Sequence, residues 1–274
     1  MTTNILVNGC SFTFGHGEVQ YPDTGDYMPP KPWVWPFQLE KLEDVKCNNI
    51  AIGGASNNRI VRTTIESIEK EKPDAVIVQW TSPFRSEWYD EIWETFYSLV
   101  PQNITDDQKR SEGAVDMFGT PCVFIPIPKL KHYGMESEYF KNLAKATQHY
   151  QAYMMNHTEA CIDFCKDVLL LQNYLEKRNI PFMFSGMSNV CMIGRKDYGP
   201  DFWSMLEKLP IPYEAHLRTE IDGSRWTTNA FSKIMGNNIV SHDPWDPHPN
   251  DLGHELIARE LHKEIIKKEL LKDN

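Results

Sequence analysis

Strand, loop and helix alternate three times within about the first ninety residues. Ile5-Leu-Val7 is a short apolar run that stops at Asn8-Gly9. Cys47–Ile52 is a second, halted by Gly53-Gly54, and Asp74–Trp80 is a third, followed by the turn Thr81-Ser-Pro-Phe-Arg85. Between the second and third, Ile60, Val61, Ile65 and Ile68 keep a helical spacing until Lys72-Pro73 ends it. Runs this short and this apolar, bounded by glycine, suit strands of a parallel sheet buried on both faces. The expected fold is therefore α/β, a mostly parallel sheet between helical layers. The loops at the strand C-termini then share one edge, where sites form in open sheets of this kind.

The rest of the chain adds to this frame. Ser11 to Asp26 is polar and glycine-containing, and the proline-rich stretch Met28–Pro36 leads to a helix expected at Phe37–Leu42. Residues 101–134 and 198–230 read as two insertions, the second with a short helix at Asp201–Lys208. A helical stretch from Ser137 to Arg178 lies between them, followed by a fourth strand at Ile180–Phe184. Ile239-Val240 is expected as a fifth, short strand, and Leu252–Leu271 as a final amphipathic helix. No linker divides the chain, so 1–274 is read as one domain.

Charge and composition exclude several functions. A formal net charge of −10, with no basic cluster, argues against a partner held by phosphate contacts, so no nucleic-acid binding is expected. No stretch reaches the roughly 18–20 apolar residues of a membrane span. The N-terminus has no charged and apolar leader pattern, which reads as cytoplasmic. The six cysteines form no CxxC pair and are expected to be reduced, buried thiols.

Chemistry concentrates at two places. Ser11 directly follows a strand and Gly-Cys, where its hydroxyl and nearby backbone N–H groups face the same space at the sheet edge. Taken alone it reads as a turn or capping serine. The second place is Asp243-Pro-Trp-Asp-Pro-His-Pro-Asn-Asp-Leu-Gly-His254, a proline-stiffened loop before the last helix. His248 there can serve a serine as base when a carboxylate fixes its other nitrogen. His242, Asp243, Asp246, His248, Asp251 and His254 crowd thirteen positions, but their spacing matches no metal motif, and neither metal nor cofactor is expected. Arg85 could grip a substrate carboxylate or phosphate by its fork, or pair with Glu87 on the surface. Trp80, like Trp33, Trp35 and Trp245, suits either a substrate face or the core.

Together these blocks resemble the SGNH (GDSL-type) hydrolases: Gly9-Cys10-Ser11 after strand one, Gly54 after strand two, a turn after strand three, and a C-terminal Asp-x-His-Pro-Asn-x-x-Gly-His. The resemblance covers the first ninety residues or so and the last thirty-five or so. It implies a flavodoxin-like three-layer α/β/α sandwich and hydrolysis of small acyl esters, acetylated carbohydrates among them. It implies Ser11 as nucleophile and His248 as base, with the backbone N–H groups of Ser11 and Gly54 in the oxyanion hole. The family's third donor, an asparagine after strand three, is replaced by Thr81; Asn57 or Asn58 could supply the amide instead. Cys10 replaces the usual aspartate, and Trp245 stands where the usual acid lies, three before the histidine. Asp246 is then the first choice of orienting acid and Asp243 the reserve, and a main-chain carbonyl could also fix the imidazole. Two alternatives remain open: a non-catalytic protein that keeps the fold, and an acyltransferase using the same serine.

Overall fold

The computed structural model describes residues 2–15, 32–90, 95–99, 101–103, 122–124, 157–188, 191, 217, 220–239 and 248–271. Its centre is a four-stranded, wholly parallel sheet made of β1 (Thr3–Asn8), β2 (Val45–Asn49), β3 (Ala75–Trp80) and β8 (Phe182–Gly186), in the order β2-β1-β3-β8. Every residue of β3 and β8 is buried, as two-sided coverage requires. Ile5 pairs with Cys47 on one side and Ala75 on the other, and Trp80 with Gly186.

Strand order places the helices. From β1 the chain moves one way to β2, then reverses across β1 to β3 and onward to β8. Right-handed crossovers put the connections on opposite faces when direction reverses. Accordingly α3 (Asn57–Glu71) packs with α4 (His157–Lys177). On the other side α2 (Trp35–Leu39) and α5 (Phe231–Met235) pack with α6 (Asp251–Lys267). The result is a three-layer α/β/α sandwich with the flavodoxin-like beginning 2-1-3, whose direction reverses between β1 and β3.

Local chemistry sets the helix ends. The Ser56 hydroxyl accepts the Arg59 N–H at 3.2 Å and starts α3, and Pro73 follows its left-handed end at Lys72. The Asn250 side chain accepts the Gly253 N–H at 2.9 Å and starts α6. Trp35 rather than Phe37 opens α2, with Pro36 in its first turn, where a missing N–H costs nothing.

Several expectations are corrected. Among the described residues Ile239 joins no sheet; it forms one antiparallel bridge with Pro249, and Asn250 donates to the Asn238 and Ile239 carbonyls at 3.1 and 3.2 Å. These contacts close the base of the loop that ends at His248. The 198–230 stretch is not all excursion: Trp226 is fully buried and bridges Phe184, and the Thr227 N–H donates to the Phe184 carbonyl at 2.8 Å. Beyond the central sheet lie two antiparallel pairs, β4 (Ser86–Asp90) with β5 (Thr95–Leu99) and β6 (Pro101–Asn103) with β7 (Cys122–Phe124). The helix expected at 201–208 falls outside the described residues. No described helix is long and apolar enough to cross a membrane.

Candidate active site

The site is assembled at the C-terminal ends of β1, β2 and β3. Immediately after β1 the chain turns through Gly9 and Cys10 into α1 (Ser11–Phe14), a single helical turn closed by Gly15 at φ 85°. A one-turn helix has too few internal hydrogen bonds to hold itself. Its conformation is imposed by buried amides from neighbouring strands.

Gln79 is the chief of these. Its Oε1 accepts the Cys10 backbone N–H at 3.1 Å, the Thr13 hydroxyl at 3.0 Å and the Cys10 thiol at 3.3 Å, while its Nε2 donates to the Trp80 carbonyl at 2.6 Å. The backbone donor on one side and backbone acceptor on the other fix which end of the amide is oxygen. Glycine at position 9 is required by this packing, since a Cβ there would lie 2.8 Å from that oxygen and 2.6 Å from Thr13 Oγ1. Asn8 anchors the same turn to α3, accepting the Gly9 N–H at 2.8 Å and donating to the Ile60 carbonyl at 3.0 Å and Thr64 Oγ1 at 2.8 Å. Asn49, ending β2, donates to the Thr13 carbonyl at 2.9 Å.

This leaves Ser11 with its N–H unpartnered among the described residues and its hydroxyl 3.9 Å from Cys10 Sγ. Gly54, in the turn after β2 at φ 76°, likewise has an N–H with no partner among the described residues. Positive φ at Gly54 turns its amide away from the strand direction, at a backbone conformation other residues rarely adopt. The N–H groups of Ser11 and Gly54 are thus among those the two turns leave without a partner in the described residues.

Two of the other expected donors are placed differently. The Asn57 amide is fully committed: Oδ1 accepts the Thr81 N–H at 3.0 Å, and Nδ2 donates to the Thr81 and Ser82 carbonyls at 3.2 and 3.4 Å. Asn57 braces the end of β3 and has no amide hydrogen left for a ligand. Thr81 is fully buried, its hydroxyl beside the Cys10 thiol and 4.0 Å from Met187 Sδ. Asn58 donates to Asp167 Oδ1 at 3.4 Å.

Cys10, where the resembled family keeps an aspartate, is buried in this polar nest. Burial pushes its thiol up, but the Arg85 charge, the Phe12 N–H and the Thr81 hydroxyl outweigh it and hold the thiol below its ordinary value. Arg85 therefore acts electrostatically on the residue next to Ser11. Trp80 is in the core, edge-on to Phe164 at 5.8 Å and Phe184 at 5.3 Å, and has no surface to offer a substrate.

The His248 ring lies 5.4 Å from that of Phe12, the residue after Ser11. His254, one and a half turns on, is buried; its Nδ1 accepts the Trp35 N–H at 3.4 Å and its ring packs 5.3 Å from Trp33. Burial, aided by His248, pushes its pKa down to about 3, so it stays neutral and adds no charge beside the candidate base. Asp246, Asp243 and Trp245 lie outside the described residues.

Sequence reading missed Asn8, Asn49 and Gln79. Gln79 did carry a signal: it is the one amide inside an otherwise apolar strand.

No family model matches the chain, and no curated protein matches it. Solved structures resemble it over nearly its whole length. A psychrotrophic esterase, EstA from Pseudoalteromonas sp., is 14% identical over 97% of each chain with a TM-score of 0.47. TesA is 12% identical over 97% of this chain and 99% of its own, also at 0.47. AlinE4, an SGNH-hydrolase family esterase, is 13% identical over 97% and 96%, at 0.40.

Proposed function

We propose that the protein is a serine ester hydrolase acting on a small acyl group, such as an acetyl group carried on a simple alcohol or a carbohydrate. The observation that carries this reading is the presence at one sheet edge of two N–H groups unpartnered among the described residues, those of Ser11 and Gly54, with an imidazole packed against the Ser11 turn. The turn lies where strand order reverses, the position at which open α/β sheets bind ligands.

In the mechanism, Ser11 Oγ attacks the ester carbonyl carbon while His248 takes the hydroxyl proton. The carbonyl oxygen becomes an oxyanion and accepts the Ser11 and Gly54 N–H groups, donors held by turns that need no reorganisation as charge develops. His248 then passes its proton to the departing alcohol. A water molecule repeats the sequence on the acyl-serine, releasing the acid and restoring Ser11. Asp246 orients the imidazole. Neutral His254 allows His248 to become cationic without a second positive charge nearby.

The test is hydrolysis of p-nitrophenyl acetate by the wild type and Ser11→Ala, with a fluorophosphonate probe alongside. Wild-type turnover and labelling at Ser11, both lost in Ser11→Ala and His248→Ala, are expected. Background rates in wild type and variants alike, with no labelling, would sink the proposal.

A further inference from the structure

Arg85 follows β3 in a turn that its own N–H closes on the Ser82 carbonyl at 3.2 Å. Its guanidinium has one hydrogen-bond partner among the described residues, the Ala55 carbonyl at 3.5 Å, and no carboxylate. Glu87, the acid that could have neutralised it, is taken. Arg62 grips Glu87 with two nitrogens at 2.7 and 3.2 Å, and the Glu87 side chain is only 5% exposed. Next to Arg85, the Ser86 hydroxyl is buried and also has no partner among the described residues.

Both residues line a small, partly open cleft of about 50 Å³ between the start of α3 and the first half of α4. Ala55, which holds Arg85, directly follows Gly54, so the cleft adjoins the proposed oxyanion site. A guanidinium stays charged at every working pH, and its planar fork matches a carboxylate. A fork with one long carbonyl bond and no carboxylate, beside a hydroxyl without a partner, is among the described residues a set of donors with hydrogens to spare for a ligand.

The facing wall limits what the acceptor can be. Glu159, Asp163 and Asp167 stand there with Phe164. Asp163 pairs with Lys166 at 2.9 Å. Burial, with Asp163 nearby, pushes the Asp167 carboxyl up to about 7. This wall repels a second negative charge and receives hydroxyl or ammonium hydrogens, so a highly charged phosphate fits it poorly.

We infer that Arg85 and Ser86 form a subsite for a single carboxylate carried by the acyl part of the substrate, as in a hemi-ester of a small dicarboxylic acid. The inference rests on the hydrolase reading for the ester, but the subsite can be measured without turnover. Monomethyl succinate is titrated calorimetrically into Ser11→Ala, alone and combined with Arg85→Gln or Ser86→Ala, each checked for an unchanged melting profile. In parallel, kcat/KM is measured for p-nitrophenyl acetate, mono-p-nitrophenyl succinate and a p-nitrophenyl ester of betaine.

Saturable binding that weakens about tenfold or more in Arg85→Gln is expected, as for a lost charge-assisted fork. The anionic-to-neutral ratio of kcat/KM should fall by a similar factor, and Arg85→Glu should shift preference to the cationic ester. A structural role for Arg85 would not reverse charge preference. Binding that is absent in Ser11→Ala at millimolar ligand, or unchanged when Arg85→Gln is added, overturns the subsite even if esters are cleaved. If no ester is cleaved above background, the hydrolase reading fails, and the titration alone decides the subsite.

Discussion

Gln79→Met removes the amide oxygen on which the Ser11 turn hangs while keeping nearly the same volume. Three donors lose their acceptor: the Cys10 N–H, the Thr13 hydroxyl and the Cys10 thiol. The Cys10 N–H is buried with no alternative, and an orphaned donor of this kind costs about 1–3 kcal/mol. The Thr13 hydroxyl still accepts from Trp35 Nε1 at 3.4 Å, and the Trp80 carbonyl keeps the Met187 N–H at 2.8 Å, so those losses are smaller. The expected destabilisation is about 2–4 kcal/mol, or roughly 4–10 °C in melting temperature for a chain of this size. Gln79→Glu supplies a control. A protonated glutamic acid can both accept from Cys10 and donate to Trp80, whereas a buried carboxylate cannot donate and is poorly solvated. Its folded pKa is therefore raised above the unfolded value of about 4.3. Folding then favours the protonated form, so the variant is closest to wild type below about pH 4 and loses stability as pH rises through the folded pKa. Urea melts of the three proteins between pH 4 and 8, with hydrogen exchange at the Cys10 amide, read both effects. Gln79→Met within about 0.5 kcal/mol of wild type, or Gln79→Glu melts that track wild type at every pH, would refute this account of the turn.

Asn57→Ala strips the brace from the end of β3, leaving the Thr81 N–H without its acceptor; denaturant melts should show a loss of about 1–3 kcal/mol. Asn57→Asp keeps that acceptor and should recover part of the loss. Arg62→Ala leaves the buried Glu87 carboxylate without its fork; because Arg62 is 30% exposed, a loss of about 1–2 kcal/mol is expected in the same melts, below the figure for a fully buried pair. It should also weaken monomethyl succinate binding, since Glu87 is freed to approach Arg85. The Asp167 carboxyl, raised to about 7, makes its largest contribution to stability below about pH 4 and loses it as pH rises through 7. Asp167→Asn should therefore be more stable than wild type at pH 8, by on the order of 1 kcal/mol after screening at the open cleft, with a flatter pH profile.

Much of the frame was legible in the residues because it rests on local signals. Apolar runs stopped by Gly9 and Gly54, and a helix halted before Pro73, mark elements whose period and punctuation need no partner to be read. Strand limits moved by about two residues, as with β2, which starts at Val45 rather than Cys47. Ile239 misled for a plain reason: an apolar, β-branched pair looks like a strand whether its hydrogen bonds run to a sheet or to Pro249.

The sequence alone determined that an α/β sheet would gather Ser11, Gly54 and the turn after β3 at one edge, because parallel strands with helical crossovers must put those loops together. Only the tertiary structure decided what each side chain there does. Asn57 and Thr81 looked like donors to a ligand, yet one is committed to the backbone of β3 and the other is buried against sulfur. Trp80 looked able to face a substrate and instead fills the core. Glu87 looked like the partner of Arg85 and is held by Arg62, twenty-five residues away in sequence. A hydrogen-bonding group of a given type suits several partners equally well. Which one it takes depends on distances and directions that packing sets between residues far apart in the chain.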